Sequence, residues 1–77
     1  MADENKLRSI LSELTGCDIS GIDSTTDLVE VLAIDSIDGL RIIAGIQRRM
    51  GISFPNETLG KLRSIDDMMK IINEVAS

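Results

Sequence analysis

Three separate stretches of this chain space their apolar residues for one face of a helix, and none alternates them as a strand would. In the first, Leu7, Ile10, Leu11 and Leu14 fall at i, i+3, i+4 and i+7. In the second, over residues 36–50, Ile37, Leu40, Ile43, Ala44 and Met50 form a stripe that Ile42 and Ile46 widen. A stripe that broad expects neighbours on more than one side. The third holds Ile65, Met68, Met69, Ile72 and Val75. Helices this short draw most of their stability from packing, so the stripes must cover one another. A chain of 77 residues has material for one core only.

The ends of these segments carry their own signals. Asp3 and Glu4 favour the start of the first helix, and Gly16 favours its stop. Gly51 closes the second. Ile52-Ser53-Phe54-Pro55 is expected to be extended, because Pro55 disfavours helical geometry at Phe54. Asn56 is placed to cap a short third helix over 57–62, with Leu59 and Leu62 inward. Ser64, with Asp67 three residues on, is placed to cap the last. Residues 16–35 read as a long loop, rich in turn chemistry around Asp23-Ser24-Thr25-Thr26-Asp27. Its apolar residues Ile19, Ile22, Leu28, Val31 and Leu32 are expected to pin it to the core, with a helical turn over 28–32. The expectation is an all-α fold: one domain over residues 1–77, an irregular four-helix bundle with a long first loop and a short third helix.

Charge narrows the range of functions. Eight bases against thirteen acids leave a net charge of −5. That balance argues against nucleic acid and anionic membranes as main partners. The imbalance is local: residues 1–38 carry nine acids and two bases, whereas 39–77 carry four acids and six bases. The chain has no His, so the usual general base near neutral pH is missing. It shows no metal-ligand set, and the acid-rich stretch from Asp18 to Asp27 lacks the spacing of a calcium loop. Its single cysteine, Cys17, cannot form an internal disulfide, which fits a reducing compartment. No run approaches a bilayer span, and the N-terminal residues lack the pattern of a secretory signal. The expectation is a soluble, cytoplasmic monomer with no membrane insertion and no catalytic residues of its own.

Asp35-Ser36, where the acidic loop meets the second helix, admits two readings. Asp35 can cap the helix, with Asp38 three positions on. Alternatively Ser36 can carry a phosphate ester, since the first turn of a helix stabilises negative charge. Spacing by itself leaves both open. The wider context is Leu32-Ala33-Ile34-Asp35-Ser36-Ile37-Asp38-Gly39-Leu40, then Met50-Gly51-Ile52-Ser53-Phe54-Pro55-Asn56-Glu57, then Ser64-Ile65-Asp66-Asp67-Met68. From Leu7 to Val75 this resembles an acyl carrier protein, whose core is an Asp-Ser-Leu/Ile motif that receives 4′-phosphopantetheine. The resemblance implies a four-helix bundle bearing acyl groups as thioesters on an arm attached to Ser36, with Asp35 and Ile37 flanking it. It implies a phosphopantetheinyl transferase and acyl-loading and acyl-transferring enzymes as partners, with chemistry supplied by them.

A small bundle containing Met50, Met68 and Met69 repacks at low cost. An attached chain is therefore expected to slip beside the second helix, near Leu40, Ile43, Ile46, Phe54, Ile65 and Met68. The sequence also departs from the family. Carriers of ordinary fatty acid synthesis usually bear several acids on the second helix, where this chain keeps Asp38 and shows Arg41, Arg48 and Arg49. The glycine usual three residues before the serine is Ala33, and Gly39 and Gly45 interrupt the helix. Asp38, Arg41, Arg48 and Arg49 are therefore read as partner-binding residues of a specialised carrier. Its pathway would be lipopolysaccharide or other surface-lipid assembly, or else polyketide, nonribosomal peptide or aminoacyl transfer. The competing reading is a noncovalent helical interaction module.

Overall fold

The computed structural model describes residues 4–76; the expectation that Asp3 favours the first helix lies outside them. Helix α1 spans Glu4–Thr15 and buries Leu7, Ile10 and Leu11, the stripe read from the sequence. It stops at Gly16, whose φ of +73° is a left-handed conformation that glycine adopts without strain.

The long loop that follows is held from two sides. Asp18 accepts the N–H and hydroxyl of Ser20, and Asp23 accepts those of Thr25, so both acids close tight turns. From α1, Ser12 Oγ accepts the N–H of Ile19, while Arg8 Nη1 donates to the carbonyls of Ile19 (2.9 Å) and Ile22 (2.6 Å). These bonds satisfy loop carbonyls that have no ladder partner. On the other side, the Leu28 N–H donates to Arg63 O at 2.7 Å and the Asp66 N–H to Ser24 O at 3.0 Å. Ile19 and Leu28 are buried and Ile22 and Leu32 half-buried, but Val31 is 61% exposed, contrary to its expected anchoring role. Val31 ends α2 (Leu28–Val31), a single turn capped by Asp27; on so short a helix only Leu28 reaches the core.

Helix α3 spans Ser36–Met50, as its cap and stop residues predict. Asp35 Oδ1 accepts the Asp38 N–H at 2.7 Å, and Gly51 closes the other end at φ +66°. The orientation of its stripe is a correction. Gly45 and Ile46 are buried and Ile42, Ile43 and Met50 half-buried, whereas Ile37 is 72% and Leu40 58% exposed, and Ala44 is exposed. The helix is rotated so that its narrowest residue, Gly45, meets α1. A Cβ there would overlap the Leu14 methyl groups, so any larger residue would force that side chain to shift.

After Gly51 the chain runs extended, held where Gln47 Oε1 accepts the Phe54 N–H at 2.7 Å. The short third helix is a 3₁₀ helix over Asn56–Lys61. Asn56 lies inside it and does not cap it; the Thr58 N–H and hydroxyl both donate to Pro55 O instead. Helix α4 spans Ile65–Ala76. Ser64 and Asp67 bond reciprocally at its start: Ser64 Oγ accepts the Asp67 N–H, and Asp67 Oδ2 accepts the Ser64 N–H. Leu7, Leu11, Ile19, Leu28, Ile46, Ile65 and Ile72 are the most deeply buried side chains, so all parts of the chain share one core. The architecture is all-α, and among the described residues there is no strand.

Candidate functional site

Ser36 is the first residue of α3 and is exposed, as are Asp35 before it and Ile37 after it. Asp35 caps the helix, so this reading of the pair is observed. It leaves Ser36 Oγ unused, because capping employs only the carboxylate of Asp35. Of the first-turn N–H groups, Asp38 donates to that carboxylate and Gly39 to Asp35 O. Those of Ser36 and Ile37 have no intrahelical acceptor, as at any helix start. An anion on Ser36 would stand beside these donors and the positive end of the helix.

Beside this turn lies a cleft of about 490 Å³, with Asp35 and Ser36 on its lining. Leu28, Val29 and Ile34 form one wall, Gly39, Leu40, Ile42 and Ile43 of α3 another, and Leu59, Leu62 and Met68 close it. Gly39 contributes no side chain, and a Cβ there would meet only Ile34 Cγ2, at 3.7 Å. Of the residues expected around an attached chain, Leu40, Ile43 and Met68 line this cleft. Ile46, Phe54 and Ile65 are buried in the core and do not line it. Ile34, Leu59 and Leu62 were not picked out for this role. Leu59 and Leu62 point inward as expected, but no local pattern distinguishes a cleft wall from the closed core.

The charged residues of α3 separate. Arg49 is bonded to Glu13 of α1. Arg41 lies 3.6 Å from Asp38, both largely exposed. Arg48 is exposed and forms no ion pair among the described residues. Cys17 is exposed and lines a second, smaller hollow of about 310 Å³ on the α1 side, with Asp38 and Arg41. Away from the site, the Arg63 guanidinium holds the Asp27 carboxyl below its ordinary range, helped by the N–H groups of Glu30 and Val29. The turns at Asp18 and Asp23 lower those acids in the same direction through the hydroxyls and N–H groups they bind. Among the described residues no group of His, Cys, Asp and Glu could hold a metal. No described helix is long and apolar enough to cross a membrane.

The family model for a phosphopantetheine attachment site matches residues 5–72. The chain is 28% identical over 72 residues to an acyl carrier protein of Akkermansia muciniphila, covering 94% of this chain and 90% of that one. It is 30% identical over 69 residues to an acyl carrier protein of Phytoplasma mali, covering 90% and 82%. The chain belongs to the acyl carrier protein family. Membership of this family implies a covalent 4′-phosphopantetheine group, and it makes the chain a carrier rather than a catalyst. The residues fit such a group: an exposed hydroxyl on a helix start, with an apolar cleft alongside. Family membership also implies a phosphopantetheinyl transferase and acyl-handling enzymes as partners.

Proposed function

We propose that Ser36 carries the prosthetic arm and that the cleft beside it receives the acyl chain of the loaded carrier. The observation behind this reading is the exposed Ser36 on the lining of a cleft whose walls are mainly apolar, with Asp35 and Arg63 as the other polar residues there. When attached, the group supplies a thiol that holds an acyl group as a thioester. The protein's residues do the rest. Asp35 keeps the helix start in place through the Asp38 N–H, so Ser36 stays presented to solvent. Ile37 covers no core and stands beside the attachment point. Leu40, Ile43 and Met68 offer the chain apolar surface, which favours its transfer out of water. Gly39 keeps the middle of that wall open.

An aliphatic acyl chain is the cargo that suits such a cleft, and this supports a role in fatty acid or lipid biosynthesis. The arginines on α3 in place of acids favour a dedicated pathway, such as lipopolysaccharide or surface-lipid assembly. The protein is taken as one carrier domain acting as a cytoplasmic monomer; its lone Cys17, which has no second cysteine to pair with in the chain, suits a reducing compartment.

Intact mass tests the attachment. After incubation with coenzyme A and a phosphopantetheinyl transferase, the protein gains one phosphopantetheinyl group, and Ser36→Ala gains none. Modification of Ser36→Ala, or none of the wild type, would overturn the reading. For the cleft, methyl chemical shifts of Leu40, Ile43 and Met68 are expected to move on acylation of the holo form. Unmoved shifts there would place the chain elsewhere.

A further inference from the structure

Ile34 and Ile42 line both the apolar cleft and the smaller hollow on the α1 side. The two spaces therefore lie back to back across one layer of side chains, beside the first turns of α3. The cleft is about 490 Å³ and the hollow about 310 Å³. Small-molecule sites occupy about 300–1,000 Å³, so either is large enough to hold a ligand. Their linings differ. The cleft is mainly apolar, whereas Thr15, Cys17, Asp38 and Arg41 line the hollow beside Leu32 and Ala33. Asp38 and Arg41 stand 3.6 Å apart, beyond hydrogen-bond distance, and neither side chain makes a hydrogen bond among the described residues. The acceptors of one and the donors of the other are free for a ligand.

The prosthetic arm has the chemistry to match. Between its phosphate and its thiol stand a geminal dimethyl group, a hydroxyl and two amides. In the cleft those amides would lose water and meet few partners, which is costly. In the hollow the Arg41 guanidinium can donate to amide carbonyls, the Asp38 carboxylate can accept from an N–H, and Leu32 and Ala33 can receive the methyl groups. Fully extended, the arm matches five residues of extended chain, about 17 Å. Asp38, on the lining of the hollow, is about 3 Å along the helix axis from Ser36. We propose that the hollow is the resting site of the arm while its thiol is free, and that a long acyl chain draws the arm out as the chain enters the cleft. Apolar burial drives that exchange, because it grows with each methylene while the hydrogen bonds of the arm do not. The inference rests on the reading of Ser36 as the attachment point. Cys17 makes the resting state detectable, since an arm thiol held in the hollow lies beside it.

The test uses the full chain converted to the holo form with coenzyme A and a phosphopantetheinyl transferase, and intact mass confirms complete conversion first. Amide chemical shifts of Thr15 and Cys17 are expected to move between the apo and holo proteins, and to return toward their apo values when the arm carries an octanoyl group. In glutathione buffers the arm thiol and the Cys17 thiol should form an internal disulfide. One S–S bond forms between them, one breaks in glutathione disulfide, and the two protons pass to the two glutathione thiols released. Mass reports the loss of two hydrogens, and the glutathione ratio at half conversion gives the effective concentration of the two thiols. Cys17→Ser/Lys61→Cys offers the same arm an exposed thiol between Gly60 and Leu62 on the cleft side. Its disulfide is expected to be about tenfold weaker or more, because nothing holds the free arm there. Asp38→Ala/Arg41→Ala should weaken the Cys17 disulfide about fivefold or more, with an unchanged circular dichroism spectrum. Equal disulfide strength at the two positions would show an arm that samples both sides freely and would overturn the proposal. Thr15 and Cys17 shifts that are the same in the apo and holo proteins would overturn it too, and shifts that persist in the octanoyl form would overturn the exchange between the two spaces. A protein that gains no phosphopantetheinyl group, or gains one after Ser36→Ala, fails at the first mass measurement and defeats the reading of Ser36, and the proposal with it.

Discussion

A Cβ built on Gly45 of α3 would stand 2.8 Å from Leu14 Cδ1 and 2.9 Å from Leu14 Cδ2 of α1. The two helices therefore meet through a side chain laid directly on a backbone. On an exposed helix, glycine in place of alanine costs about 1 kcal/mol. Here that cost is offset by a contact that brings Ile46 and Leu11 together in the core. Gly45→Val is expected to destabilise the protein by about 1–3 kcal/mol through overpacking. Adding Leu14→Ala should recover part of that loss, so the two changes will be strongly non-additive. Urea unfolding of the four proteins of the cycle measures it, and simple additivity would contradict the contact.

Ala33 is the only non-glycine residue at positive φ among the described residues, at +52°. An L-residue with a Cβ is held there at a cost of about 1–2 kcal/mol. Ala33→Gly removes that strain but loosens the unfolded chain, so the net gain expected is about 1 kcal/mol or less. Ala33→Val, branched at Cβ, should lose stability. Thermal melts of both variants decide the point.

Arg8 is the side chain that fastens the long loop to α1, donating to Ile19 O and Ile22 O while Nε pairs with Glu4. Charge-assisted hydrogen bonds of this kind are each worth about 1.5–3 kcal/mol when made to otherwise unpaired groups. Arg8→Ala is expected to cost about 2–3 kcal/mol in urea unfolding. Amide hydrogen exchange should quicken over residues 19–26 while α4 keeps its protection. Uniform loss of protection would mean that the loop is not a separate unit.

Asp27 ties the first loop to the start of α4 through Arg63, and its pKa is lowered chiefly by that bond. A carboxyl whose folded pKa lies below its unfolded value stabilises the fold above the unfolded value, near 4. The contribution fades as pH falls through the lowered folded value. Asp18 and Asp23, lowered by their turns, act in the same window. Wild type should therefore lose stability below about pH 4. Asp27→Asn should be less stable than wild type at pH 7 and approach it near pH 2. A constant difference in melting temperature across that range would exclude the linkage.

What the sequence made legible is local. The bounds of α3 could be read from Asp35 and Gly51, and the reciprocal cap of α4 from Ser64 and Asp67, because each depends on groups within four residues. Ser36 was legible for the same reason, through its neighbours and the resemblance they carry. The cap expected at Asn56 failed because Pro55 and Thr58 start a tighter 3₁₀ turn that makes no use of that side chain.

The sequence by itself determined which segments are helical, where α1 and α3 begin and end, where α4 begins, and that a serine opens α3. The tertiary structure alone decided which side of α3 faces inward, which arginine is already engaged, and where a cleft opens. An apolar stripe wider than its packing partners permits several rotations of a helix. The close seat of Leu14 on Gly45 selects one of them, and that choice sends Ile37 and Leu40 outward and Ile42 and Ile46 inward. The ion pair of Arg49 with Glu13 and the walls supplied by Ile34, Leu59 and Leu62 join residues far apart in the chain, and no local pattern encodes such distances.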